Sequence, residues 1–348
     1  MKQDRPEPAG SLAHRLADDR ETGRSDRAAD PSLAVCASGL SKHYRSSWSP
    51  RVSRALEGLD LTLPRGEVLG YLGPNGAGKT TTLKLLSGLL KPTSGRAWLF
   101  GVPIENPASR RRLGFLPEQP YFYDYLSGLE YLEMAGRLSG LGGREAHDGA
   151  RGWLGRVGLG DRPTLRLRKY SKGMLQRLGL AAALVHEPEL LILDEPMSGL
   201  DPLGRRDVRD LILEQRERGV SVLFSSHILP DVEMLCDRVA IVIGGRLKRL
   251  ATVGELVSDS RPRVEMWCSG VTLLEIPTAW SAAVRREERG SETLFTLEHD
   301  HLLNDVLHWL LRSGVRVRSV TPQRAPLEEL FMNAADEADS ERRLARSA

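Results

Sequence analysis

Cysteine is scarce: three in 348 residues, Cys36, Cys236 and Cys268, far apart and odd in number. No CxxC spacing occurs, so neither a disulfide framework nor a zinc site is supported, and a reducing cytoplasm fits. Lysine is sparse too, 8 against 41 arginines, a bias that a GC-rich genome accounts for. Long apolar runs are missing. Nowhere do about 18 apolar residues follow one another, so the chain is not expected to cross a bilayer. The strongest run, VAIVI (239–243), is strand-sized. The start of the chain lacks an apolar segment of signal-peptide type, so no secretory signal is expected. An excess of charge is absent as well. Lys plus Arg number 49 and Asp plus Glu 46, a balance that argues against a dedicated nucleic-acid binder.

What is present is ordinary globular composition, 41% hydrophobic and 27% charged, over a length that exceeds one typical domain. Residues 1–32 carry 13 charges of both signs and few bulky apolar groups, which predicts a disordered tail. Beyond it, VLGYL (68–72), LLILD (190–194), VSVLF (220–224) and VAIVI read as buried strands of a mostly parallel sheet. Helical patterns follow at 79–90, 204–218 and 229–236, the alternation of an α/β layered domain. Helical runs without a strong strand fill 127–187 and suggest an inserted helical subdomain, about 120–187. Past about residue 255 the texture changes. RVEMWC, ETLFTLE and VRVRSV are strand-like, and HLLNDVLHWLLRSG (301–314) is an amphipathic helix ending at a glycine, so residues 256–333 read as a small α+β C-terminal domain. Residues 334–348 read as a flexible tail.

Between a strand and a helix lie Gly73, Pro74, Asn75, Gly76, Ala77, Gly78, Lys79, Thr80 and Thr81, a GxxxxGK[ST] match in the context that motif requires. Its glycines let backbone N–H groups curl around phosphate, with the helix dipole in support. Lys79 is placed to reach the β- and γ-phosphates, and the Thr80 hydroxyl to bind Mg²⁺. The strand LLILD delivers Asp194 to its C-terminal edge, where a carboxylate can hold Mg²⁺. Glu195, one residue on, points elsewhere and can polarise an attacking water.

Between these motifs stands YSKGMLQR (170–177), and here the sequence resembles the ATP-binding subunits of ABC transporters, whose signature is LSGGQ. Ser171 and Gly173 are kept, while Tyr170, Lys172 and Met174 depart from it. Further elements follow in order: SGLD (198–201), then His227 in SSHIL. The resemblance spans about 33–255 and implies the following. The fold is a P-loop NTPase core with an antiparallel β part near the N-terminus. ATP and Mg²⁺ are the cofactors, and Glu195, His227 and Lys79 the catalytic residues. Ser171, Gly173 and Asp201 meet the ATP of a second subunit. Tyr44 stacks on adenine, with Trp48 as the alternative across RSSWSPRVSR. The metal-sensing Gln position counts to Glu118, with Gln119 next in line.

The same resemblance implies a homodimer or heterodimer of ATPase subunits and a separate integral-membrane subunit. That membrane partner would hold the chain, otherwise cytoplasmic, on the inner face of the cell membrane. Tyr121, Phe122, Tyr123 and Tyr125 gather four of 19 aromatics within five positions, the composition of a recognition surface. GPNGAGKTT, the PE-type loop and LEELF (327–331) resemble exporters of drugs, antibiotics and lipids. The rival reading, a soluble ABC-type ATPase acting on ribosomes or DNA, is disfavoured by the single phosphate loop and the absence of an extended heptad run.

Overall fold

The computed structural model describes residues 30–45, 52–258, 263–270, 274–298 and 300–323. The expected tails therefore lie, apart from residues 30–32, outside the described residues, as do Trp48 and LEELF.

Three sheets organise the chain. The first is antiparallel, with β1 (Leu33–Arg45), β2 (Val52–Pro64), β4 (Ser94–Leu99) and β5 (Val102–Pro103) in the order β2-β1-β4-β5. The second contains β3 (Val68–Leu72), β6 (Leu113–Leu116), β7 (Leu190–Asp194), β8 (Ser221–Ser226), β9 (Arg238–Ile243) and β10 (Arg246–Thr252), ordered β10-β9-β3-β8-β7-β6. Its strands are parallel except at β10, which pairs antiparallel with β9. Sequence-adjacent β6 and β7 pair only because the helical stretch crosses over between them, the connection a parallel pair requires.

Side-chain alternation explains why this sheet is covered on both faces. Leu69 and Tyr71 join Leu40, Leu56 and Leu59 of the antiparallel sheet in one core. Val68 and Leu72 join Leu178, Leu193 and Phe224 in another. The same division splits Leu190 and Ile192 from Leu191 and Leu193 on β7. Each fully buried leucine contributes about 1.5–3 kcal/mol by leaving water, and a strand apolar on both faces needs a layer on each side. Gly70 lies where a Cβ would come within 2.7 Å of the Cys236 sulfur, so the helix Leu229–Leu235 and its end pack hard on β3.

Several predicted bounds shift by a few residues, two of them for visible local reasons. The helix expected over 79–90 spans Lys79–Leu86. Ser87 closes it, Gly88 turns left-handed at φ +68°, and the N–H groups of Leu89 and Leu90 return to the Lys84 carbonyl. The strand expected over 220–224 begins one residue later, because the Val220 N–H closes the preceding helix on Gln215. It runs on through Ser225 and Ser226, which pair with Tyr71 and Leu72 of β3.

Between β6 and β7 lie the helices Gly128–Leu138, Gly143–Arg156 and Lys172–Leu184. The first is fixed by a reciprocal capping box between Ser127 and Glu130. The third sheet, β11 (Arg263–Ser269), β12 (Val284–Arg289), β13 (Glu292–Leu297) and β14 (Arg316–Gln323), is antiparallel in the order β12-β13-β11-β14. Val264, Met266, Phe295 and Leu297 pack there with Val306 and Leu310 of the helix Leu303–Arg312. β12 escapes sequence reading because VRREER is almost wholly charged; it forms by pairing with β13.

Candidate functional site

The parallel strands β3, β7 and β8 end on one edge, and the residues just past those ends build the site. After β3 the chain turns through the glycine loop, where each glycine answers a different demand. A Cβ on Gly73 would lie 2.5 Å from the Val242 carbonyl oxygen, and one on Gly78 only 2.2 Å from that of Ala55. Gly76, at φ +79°, has open space but a backbone that other residues rarely adopt. Tyr71 braces the loop from below. Its hydroxyl lies 3.1 Å from Thr82 Oγ1, and complete burial pushes its phenol far above the ordinary range, keeping it neutral.

Lys79 is buried, and its ammonium donates to the Gly73 carbonyl at 2.7 Å. The same Nζ lies 3.3 Å from Glu195 Oε1, while His227 Nδ1 lies 2.8 Å from Glu195 Oε2. One carboxylate thus sits between an ammonium and an imidazole brought from two other strand ends. Glu195 itself adopts φ +51°, a left-handed conformation that costs a non-glycine residue about 1–3 kcal/mol. Its N–H is held by Ser225 Oγ at 2.9 Å, and that hydroxyl in turn donates to Asp194 Oδ1 at 2.7 Å. Ser225 is a site residue that sequence reading missed; its only signal was a polar pair, Ser225-Ser226, ending an apolar strand. A Ser225→Ala chain is expected to melt several degrees lower and to lose about tenfold in activity, because it orphans a buried carboxylate oxygen worth about 1–3 kcal/mol. Thermal melts beside steady-state kinetics check both.

Tyr44, Pro74, Asn75, Gly76, Gly78, Lys79, Thr80, Thr81, Glu118, Glu195 and His227 line one cleft of about 650 Å³. Ser53, Arg54 and Ala55 share its wall without having been anticipated, and Ser198 of the SGLD element joins them. Gln119 is not among its lining, so Glu118 is the loop residue that faces the cleft. Ser171, Gly173 and Asp201 stand elsewhere in the chain. Ser171 Oγ accepts the Met174 N–H at the head of the helix Lys172–Leu184, and Asp201 Oδ1 accepts the Gly204 N–H at the head of Pro202–Glu217. These two helix starts are tied together. Lys172 lies over Gly199, where a Cβ would come within 2.2 Å of its ammonium, and Gln176 Nε2 donates to the Pro196 carbonyl at 2.9 Å.

A metal fits this edge by donor chemistry. Asp194 is fully buried, and its Oδ2 has no hydrogen-bond partner among the described residues. Among the described residues, no group of three or more His, Cys, Asp or Glu side chains stands ready for a metal. One carboxylate oxygen, a threonine hydroxyl and phosphate oxygens are the set Mg²⁺ uses, since it keeps waters and substrate ligands.

The aromatic cluster divides. Tyr121, Tyr123 and Tyr125 are exposed, with rings 6.3 and 5.8 Å apart in sequence order. Phe122 is instead buried against Tyr131, at 5.0 Å between centroids, so the expected four-residue surface is a three-tyrosine one. Arg166 supports it, donating to the Tyr125 carbonyl and pairing with Glu130. Among the described residues no helix is long and apolar enough to cross a membrane.

The family profile described as ABC transporter matches residues 56–198. An uncharacterized ABC transporter ATP-binding protein of Nostoc sp. is 40% identical over 88% of this chain and 91% of its own length. The daunorubicin/doxorubicin resistance ATP-binding protein DrrA of Streptomyces peucetius is 36% identical, covering 87% of this chain and 92% of its own. A solved structure of an ATP binding subunit of an ABC transporter superposes with a TM-score of 0.59 at 32% identity, over 65% of this chain and 92% of that one. With its phosphate loop at the head of a parallel sheet and relatives matched over nearly their whole length, the chain belongs to the family of ABC transporter ATP-binding proteins.

Proposed function

We propose that this chain is the ATP-hydrolysing subunit of an exporter, coupled to a separate integral-membrane subunit. The observation that carries the catalytic part is the placement of Glu195 between Lys79 and His227 at the mouth of the glycine loop. Gly73, Pro74, Asn75, Gly76, Ala77, Gly78, Thr80 and Thr81 would cradle the phosphates, with Tyr44 against adenine. Lys79 would turn its three N–H donors from Glu195 and the Gly73 carbonyl toward phosphate oxygens, whose larger negative charge outcompetes them. Glu195, relieved of that pair but still held through His227 and its own N–H, orients the attacking water. Thr80 and Asp194, with Glu118, would hold Mg²⁺, which when bound would supply neutralisation of charge on the phosphates.

The chain acts as a pair, each cleft completed by Ser171, Gly173 and Asp201 of the other copy. ATP favours the closed pair because its γ-phosphate makes contacts available only there. Residues 33–255 form the ATPase, residues 256–333 an accessory domain, and Tyr121, Tyr123 and Tyr125 the surface toward the membrane subunit. Export is supported by DrrA, named for daunorubicin and doxorubicin resistance. BcrA of Bacillus licheniformis, named for bacitracin transport, supports a transporter without giving its direction. These names also favour a transporter over action on ribosomes or DNA.

The test is purification of the tagged chain from its own cells. Magnesium-dependent ATP hydrolysis and recovery with one multi-span membrane protein are expected. Recovery on ribosomes or DNA would instead favour the rival reading. A Tyr121→Ala, Tyr123→Ala, Tyr125→Ala triple variant is expected to keep its own ATP turnover and lose that membrane recovery, read by the fraction sedimenting with membranes.

A further inference from the structure

The cleft has a cation that neither the phosphate motif nor the signature accounts for. Arg54 on β2 lines it beside Ala55, whose carbonyl oxygen is the atom a Cβ on Gly78 would strike. That contact puts β2 against the end of the phosphate loop, and pairing puts Ser53 opposite Tyr44. Arg54 therefore stands between the base-side aromatic and the phosphate cradle. Its side chain is 62% exposed, and its charge partner is Glu57, with Nη1 3.2 Å from Oε1.

Glu57 does not depend on Arg54. Its other oxygen receives both Nε and Nη2 of Arg246, at 3.2 and 3.0 Å, and this bond is the main cause holding its carboxyl below the usual range. One carboxylate is thus shared by two guanidinium groups, so this cluster beside the cleft carries one net positive charge. Lys42, whose ammonium lies 5.4 Å from the Tyr44 ring centre, adds to it. An arginine so placed has a weak, solvent-exposed hold on its present partner and five donors suited to phosphate.

We infer that Arg54 is a nucleotide-contacting residue that leaves Glu57 to bind the part of the polyphosphate that ATP and ADP share. The inference rests on the nucleotide reading of the cleft. Because β2 approaches the loop at Gly78 rather than at Glu195 and His227, the contact falls away from the reacting phosphate. Arg54 then strengthens binding of substrate and product alike.

The test measures ATP and ADP affinity of the full chain by titration calorimetry with Mg²⁺, for wild type, Arg54→Ala, Arg54→Lys and Glu57→Gln, with a thermal melt of each. Arg54→Ala is expected to weaken both nucleotides by the same factor, roughly tenfold for a charge-assisted contact. Arg54→Lys recovers part of that loss. Glu57→Gln, by freeing the guanidinium, tightens both, roughly threefold by the loss of one competing exposed ion pair. An arginine that only braces β2 would give the reverse sign for Glu57→Gln, with both substitutions weakening binding, and that result overturns the inference. A loss confined to ATP overturns it too, since it would put the contact on the terminal phosphate. If wild type binds neither nucleotide, the reading of the cleft itself falls, an outcome distinct from a wild type that binds while Arg54→Ala binds equally well.

Discussion

A Glu195→Gln chain is expected to hydrolyse ATP about 10²- to 10⁴-fold more slowly, the range for removing a positioned general base, and to accumulate as an ATP-loaded pair. The amide keeps the size of the side chain, so the loop and Ser225 need not move. What disappears is the negative charge that faces Lys79 at 3.3 Å and His227 at 2.8 Å. Lys79 then has no carboxylate competing with the phosphates, so nucleotide affinity should hold or improve while turnover collapses. Phosphate release and light scattering with MgATP measure both halves. Turnover near the wild-type rate would remove Glu195 from the reaction. Slow turnover without accumulation of a pair would keep Glu195 and remove the closed-dimer mechanism.

Gly78→Ala is expected to weaken nucleotide binding by about two orders of magnitude. The substitution adds one methyl group to a residue at φ +99°, a conformation costing an L side chain about 1–3 kcal/mol, and drives it to within 2.2 Å of the Ala55 carbonyl oxygen. That oxygen belongs to β2, a long strand that cannot yield locally. The loop must deform instead, carrying Lys79 and Thr80 with it. At 2–3 kcal/mol the loss in affinity is roughly 30- to 160-fold. Gly76→Ala supplies the comparison, since its φ is +79° but a Cβ there meets nothing within 4 Å. It should pay the conformational cost alone and retain measurable binding. Calorimetric titration of both variants, with circular dichroism to confirm folding, separates the two. Equal losses would mean that conformation rather than contact with β2 governs the loop.

Much of the core was legible because its signals are local. The run LLILD needs no partner to declare itself a buried strand, and GPNGAGKT declares a phosphate loop by residue type and context. His227 and Glu118 were legible only through family resemblance, for nothing in SSHIL or LPEQP alone selects them; the structure puts both on the cleft. Phe122 shows the limit of composition. It shares a cluster with three tyrosines, yet its lack of a hydroxyl lets it enter the core against Tyr131 while they stay in water.

The sequence by itself determined the class of the fold, the glycine-rich loop between strand and helix, and the acids Asp194 and Glu195 at the strand end. These follow from hydrophobic periodicity and from glycines where the backbone must turn, properties of a few consecutive residues. Only the tertiary structure decided which distant groups those residues meet. Asp194 reaches Ser225 because β7 and β8 pair in that register. Lys79 and His227 converge on Glu195 because β3, β7 and β8 end on one edge. Arg54 enters the cleft because β2 crosses the phosphate loop at Ala55. Each depends on strand order and register, which burial over the whole chain settles and no short stretch of sequence encodes.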